Sequence, residues 1–226
     1  MTTLEAILSR RTLKVLVDPD NPWPPEDIPE EYLKEFLLAA EMAPFHYPCH
    51  RTHREGSEMN SIVPWRFYGM NSSSCRSLLS WIRRQGIDSG KIAGMLAAAG
   101  NVQLVTWLPG PPATGGSDRL FEPTLENMEH IAATSAAIQN LLVAATARDI
   151  PSYWSSGGIL REDPVRQLIG IPSWEILLGA IFLFPPKDRF PGRPMETIDG
   201  KLRSQKGPQS GWSCGLELDS SIMDAG

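Results

Sequence analysis

NLLVAATARDIPSYWSSGG, Asn140–Gly158, is the stretch on which the reading of the fold turns. Its first half closes a helical pattern at Arg148, Ile150–Trp154 has the make-up of a short strand, and Ser155–Gly158 is a turn of small residues. Serine and glycine directly after a strand let backbone amides come close to a bound molecule, and Trp154 ahead of them offers a flat face. An ordinary strand-to-helix turn has the same composition, so this stretch alone leaves a binding turn and a plain connection both open.

Upstream, the helical pattern runs from Leu125 to Arg148 and, at ~1.5 Å per residue, spans roughly 35 Å. Met128, Ile131, Ala132, Ser135, Ile138, Leu142 and Ala145 form a heptad-like stripe, while Ala133, Ala136, Ala137 and Val143 spread the apolar surface around the axis. A helix with so little polar face is covered on most sides, by its own domain or by a second copy. The uncharged run Ile131–Ala147 includes Thr134, Ser135, Gln139 and Asn140 and is shorter than a membrane span needs.

Downstream, DPVRQLIG predicts a short helix with Asp163 as N-cap and Pro164 at its first position. EILLGAIFLF, Glu175–Phe184, is a nearly continuous apolar run expected to be a central strand. The basic cluster KDRFPGR begins directly after it at Lys187, and from Pro185 the chain is rich in Pro, Gly and Ser without a period. Such a tail cannot build its own core, and it is expected to be disordered or laid across another surface.

Toward the N-terminus, SRRTLKVL sets Arg10, Arg11 and Lys14 close together after a short apolar pattern. Like charges this near repel unless solvent or an anion compensates, so a solvated helix end and an anion site both fit. Pro19, Pro22, Pro24, Pro25 and Pro29 make an extended connector, and a helix with Tyr32, Leu33, Phe36, Leu37 and Ala40 on one face then runs toward Pro44. Tyr47–Asn60 reads as a polar loop, Val63–Met70 as a strand, Arg76–Gln85 and Lys91–Ala99 as helices, and Gln103–Leu108 as a strand.

The composition narrows the function classes. The 226 residues are 42% hydrophobic and 21% charged, with a net charge of -5, which argues against a general nucleic-acid binder. Glu5 falls where a secretory signal needs an apolar core. Three cysteines, an odd number at wide spacing, suit a reducing, cytoplasmic setting. Cys49, His50 and His53 lie close in sequence, but their spacing matches no standard zinc site, so no metal is expected. Phosphate-loop, GxGxxG and GxSxG motifs are absent.

Taken in order, SRRTLKVL, AAEMAPFH, VPWRF, NLLVAATARDIPSYWSSGG, VRQLIGIP and EILLGAIFLFPPKDR resemble the FMN-dependent nitroreductase family over most of Leu4–Arg189. The resemblance implies an α+β fold, a central and mostly antiparallel sheet flanked by helices, in an intertwined homodimer with flavin at the interface. Residues 1–190 would form the FMN-binding domain and 191–226 an extension that wraps the partner subunit or is disordered. It further implies that Arg10, Arg11, Thr12 and Lys14 bind the FMN phosphate, ribityl chain and pyrimidine edge, and that His46 reaches the partner's flavin. Trp154, Ser155, Ser156 and Gly157 would run along the ring system, with a backbone amide near flavin N5, while Lys187 and Arg189 would close on the phosphate. Hydride from NADH or NADPH would pass through flavin N5 to a nitroaromatic, quinone or similar acceptor, with no side chain needed as acid or base.

This sequence departs from the family pattern: the pair Ser155 and Ser156 replaces an acidic residue that many members carry at that turn, and the tail beyond Phe190 is longer than expected. Ser61, Ile62 and Val63 stand before Pro64 where an Asn and a Gln are usual, and Tyr47–Asn60 looks like an insertion. The competing expectation is a flavin-binding sensor or interaction protein of the same fold that does not turn over NAD(P)H.

Overall fold

In the computed structural model, which describes residues 1–56, 58–111, 121–186 and 196–199, the chain begins with a capping box. Thr2 Oγ1 accepts from Glu5 N and the Glu5 carboxylate accepts from Thr2 N, which opens helix α1 (Thr3–Ser9). Arg10 turns extended at φ -54°, ψ 127° and ends it, and the chain passes into strand β1 (Leu13–Leu16). Only part of the basic cluster therefore sits at a helix end: Lys14 belongs to a strand that the sequence reading did not expect. That strand is held by backbone pairing with β6 (Glu196–Asp199), in the register Leu13 with Asp199 through Leu16 with Glu196.

Pro29 caps helix α2 (Glu30–Glu41), which stops at Met42, two residues before Pro44. A short 3₁₀ turn, Arg51–His53, lies inside the expected polar loop. Strand β2 (Trp65–Asn71) leads directly into helix α3 (Ser72–Arg84), which starts four residues before the expected Arg76. Two carboxyl or amide oxygens account for the early start: Asn71 Oδ1 accepts from Ser74 N at 2.8 Å, and Asp27 Oδ1 accepts from both Ser72 N and Ser72 Oγ. Helix α4 (Lys91–Ala98), strand β3 (Asn101–Trp107) and the 23-residue helix α5 (Leu125–Ala147) follow.

Strand β4 is Ser152–Ser155, so it takes in the first serine of the turn rather than beginning at Ile150. Helix α6 (Asp163–Ile169) has Glu162, not Asp163, as its N-cap, because Glu162 is the last residue with extended backbone. Strand β5 (Ile176–Leu183) is the apolar run expected at the centre of the sheet.

The strands pair antiparallel in the order β2-β3-β5-β4, with a second two-stranded sheet of β1 and β6. Because side chains alternate along each strand, the sheet has two buried faces. Met70, Val102, Leu104, Leu177, Ala180 and Phe182 pack under α3 and α4. Trp65, Val105, Ile181 and Leu183 pack under α2 and α5 through Phe36, Ala137, Ile138 and Leu141.

Helix α5 is buried along Asn127, His130, Thr134, Ala137, Ile138, Leu141 and Ala145. Of the expected stripe only Ile138, Leu142 and Ala145 are buried, and Met128 is 57% exposed. The stripe therefore divides between a face on the sheet and a second apolar face outside it, flanked by α1 and α2. There a hollow of about 480 Å³ is bordered by Ile7, Met42, Val143 and Ala144.

Candidate functional site

The N-terminal cations and the serine–glycine turn are far apart in sequence, and β1 packed beside β4 brings them together. Lys14 Nζ lies 4.6 Å from the centre of the Tyr153 ring, a cation–π distance. Arg10 donates to Thr12 Oγ1 at 3.3 Å, while Arg11 donates to the carbonyls of Leu8 and Arg10 at 2.9 and 3.0 Å. Among the described residues, neither Arg11 nor Lys14 forms an ion pair with a carboxylate.

The turn itself is rigid. Ser155 is buried and its Oγ accepts from Gly157 N at 3.1 Å. Gly157 has φ 113°, a conformation that side chains rarely adopt, and a Cβ there would come within 3.0 Å of Leu177 and 3.1 Å of Arg161. The Arg161 guanidinium donates to Ser156 O and to Leu178 O, which binds the turn to the adjoining strand. Trp154 lies across Gly179 so closely that a Cβ on that glycine would fall 2.2 Å from the indole nitrogen. One expectation is refined here: the Gly157 N–H is already engaged by the Ser155 hydroxyl.

His46 stands apart from this group. Its Nδ1 is 3.1 Å from Glu129 of α5, at the rim of a hollow of about 310 Å³ lined by Phe45, Ala132, Ala133 and Ala136. Lys187 and Arg189 lie outside the described residues. Sequence reasoning passed over Tyr153, Arg161 and Glu129. Tyr153 was quoted only as part of the strand, and a contact made by an arginine several residues beyond a turn leaves no local pattern.

The expected insertion is fastened to the body. Arg66, buried, donates to the carbonyls of Met59, Ser61, Val63 and Trp65. His53, also buried, donates from Nε2 to Pro109 O at 2.8 Å, and burial lowers its pKa. His130 holds the preceding carbonyl, Leu108 O, through Nδ1 at 2.8 Å. Among the described residues, no group of three or more His, Cys, Asp or Glu side chains is placed to hold a metal ion.

The arrangement fits a flavin mononucleotide. Arg11 and Lys14, close together and without carboxylate partners among the described residues, suit a phosphate dianion, and the flat face of Trp154 and the rigid turn suit a ring. No described helix is long and apolar enough to cross a membrane.

Solved structures share the fold. A nitroreductase with bound FMN from Bacteroides fragilis is 19% identical, with 96% of this chain and 100% of that one covered and a TM-score of 0.56. A nitroreductase-like family protein from Bacillus cereus is 18% identical over 93% of this chain and 97% of that one, with a TM-score of 0.53. B. megaterium NfrA1 is 16% identical over 98% and 78%, with a TM-score of 0.54. Residues 23–183 match the model of the Nitroreductase family, and the chain belongs to that family.

Proposed function

We propose that the chain is an FMN-dependent oxidoreductase working by a ping-pong cycle. NADH or NADPH delivers reducing equivalents and leaves, and an electron-poor acceptor such as a nitroaromatic or quinone then collects them. The observation that carries this reading is the meeting of Lys14 with Tyr153, which sets the N-terminal cations beside the rigid turn. When bound, FMN would supply the hydride chemistry at its N5.

The chain's own residues bind and orient. Arg10, Arg11 and Thr12, with Lys187 and Arg189, are assigned to the phosphate and ribityl chain, where bidentate guanidinium contacts fix direction as well as charge. Lys14 is assigned to the pyrimidine edge, where a cation stabilises negative charge. Trp154, Ser155, Ser156 and Gly157 are assigned to the ring. For the Gly157 N–H to serve a ligand, the Ser155 hydroxyl must give it up or share it.

The partly uncovered apolar face of α5 supports a homodimer with the flavin at its interface. His46, exposed on that side, is then available to the partner's site. Cys49 and Cys75 are free thiols, which suits the cytoplasm.

The test is the visible spectrum of the purified chain under anaerobic conditions, before and after NADH or NADPH. Flavin bands that bleach on addition and return with menadione support the proposal. Protein that stays colourless when supplied with excess FMN overturns it.

A further inference from the structure

We propose a second ligand site, on the opposite face of the sheet from α5, that takes a small aromatic carboxylate. Its groove runs between α3, the end of α6 and the edge strand β2, and encloses about 530 Å³. That volume is within the range of small-molecule pockets.

The groove follows from sequence spacing. Ser74, Ser77, Leu78, Trp81 and Arg84 recur at three and four along α3 and so share one face of it. The upper part of that stripe is apolar and aromatic, and its last member is a cation. Across the gap, Leu168 of α6 is 50% exposed, an apolar wall that its own chain leaves open.

Tyr68 of β2 lines the groove, and its position is fixed from behind. Its hydroxyl lies 2.9 Å from both carboxylate oxygens of buried Glu175, and Thr106 Oγ1 donates to the same group at 2.5 Å. A ring held in this way needs little ordering when a flat ligand arrives, which lowers the entropic cost of binding. The carboxylate is thereby directed into the core and away from the groove.

Charge selects the ligand class. No Asp or Glu lines the groove. Arg83 is committed to Pro19 O and Asp20, but Arg84 has no hydrogen bond or ion pair among the described residues. The Ser74 and Ser77 hydroxyls likewise have no protein partner there. An unpaired guanidinium and two hydroxyl donors beside Trp81 and Tyr68 match a carboxylate carried on an aromatic ring. A basic last turn also complements a helix dipole, and that role alone would make Arg84 matter for stability and not for ligand.

The experiment titrates the full chain, with FMN present, using 1-naphthoate and its neutral analogue 1-naphthalenemethanol. Binding is followed by calorimetry and by the Trp81 indole N–H resonance, assigned with Trp81→Phe. Saturable binding of naphthoate that shifts the Trp81 signal is expected, with the neutral analogue at least tenfold weaker. Arg84→Ala should weaken naphthoate at least tenfold with the melting temperature held, and Ser77→Trp should abolish binding by filling the groove. The proposal is overturned if naphthoate leaves Trp81 unperturbed, if both probes bind alike, or if Arg84→Ala changes stability and not affinity. The flavin spectrum of each variant reports the other site separately, so failure here and failure of the FMN reading are distinguishable.

Discussion

Lys14 stands over the ring of Tyr153 at 4.6 Å, and this one contact links a strand near the start of the chain to the strand that carries the candidate ring-binding turn. Removing the ammonium should loosen FMN more than it loosens the fold. A charge-assisted contact of about 2 kcal/mol corresponds to roughly thirtyfold in affinity, and Lys14→Met is expected to lose that much. FMN fluorescence titration measures the loss, and circular dichroism checks that the fold survives. Unchanged affinity would remove Lys14 from the site.

Gly179 makes room for Trp154. In Gly179→Ala the new methyl would stand 2.2 Å from the indole nitrogen and 2.8 Å from Ser155 O, so the tryptophan or the strand must move. Overpacking of this kind costs about 1–3 kcal/mol. The expected result is a lower denaturation midpoint together with a changed near-ultraviolet circular dichroism band and weaker FMN retention. A variant with wild-type retention would show that Trp154 plays no part in the site.

Arg66 holds four carbonyls of the segment that enters β2. Arg66→Met leaves them without this donor, at a residue that is only 5% exposed. A loss of about 3 kcal/mol is expected by urea unfolding. Faster proteolysis in 47–60 should accompany it, because the segment loses its fastening. A midpoint unmoved by the substitution would refute this account of the loop.

Two buried groups give opposite pH dependences. Burial raises the Glu175 pKa from 4.5, against the lowering effect of its bonds to Thr106 and Tyr68, so the folded state holds its proton more tightly than the unfolded state. Its contribution is full below 4.5 and is lost as pH rises through the folded value. Burial lowers the His53 pKa from 6.5, so its contribution is full above 6.5 and is lost as pH falls toward the folded value. Melting temperatures of Glu175→Gln and His53→Gln against wild type from acid to neutral pH should show difference curves of opposite slope. Parallel curves would contradict both assignments.

Val143 is half-buried at the hollow beside α1 and α2. If that face meets a second copy, Val143→Glu places a carboxylate in the contact with little disturbance of the core beneath. Sedimentation should then report a shift from dimer to monomer, with FMN retention falling as the shared site is lost. A wild-type monomer, or a variant dimer of unchanged strength, would count against the proposed interface.

The large elements were legible because burial writes itself into sequence: β5 as an unbroken apolar run and α5 as a long pattern almost free of charge. β1 was hidden because only four residues form it and its partner lies near residue 198. The start of α3 was masked by Ser72, Ser73 and Ser74, whose hydroxyls suggest a turn until Asn71 is seen to accept from the Ser74 amide and Asp27 from the amide and hydroxyl of Ser72. Within the site, the basic cluster and the turn were each visible, as was the Ser155 hydroxyl. Their meeting was not, since packing of one strand on another far along the chain leaves no local spacing. The family resemblance supplied that link, and the contact between Lys14 and Tyr153 supplies its physical form.

Because β1 takes its hydrogen-bonding partner from Glu196–Asp199, Lys14 cannot be framed until residue 199 has left the ribosome. Residues Leu13–Leu16 thus wait for a partner made about 180 residues later. A nascent chain stalled before residue 196 should already contain the paired strands β2 and β3 and helix α5, and still leave Arg10, Arg11 and Lys14 without the strand that sets their direction.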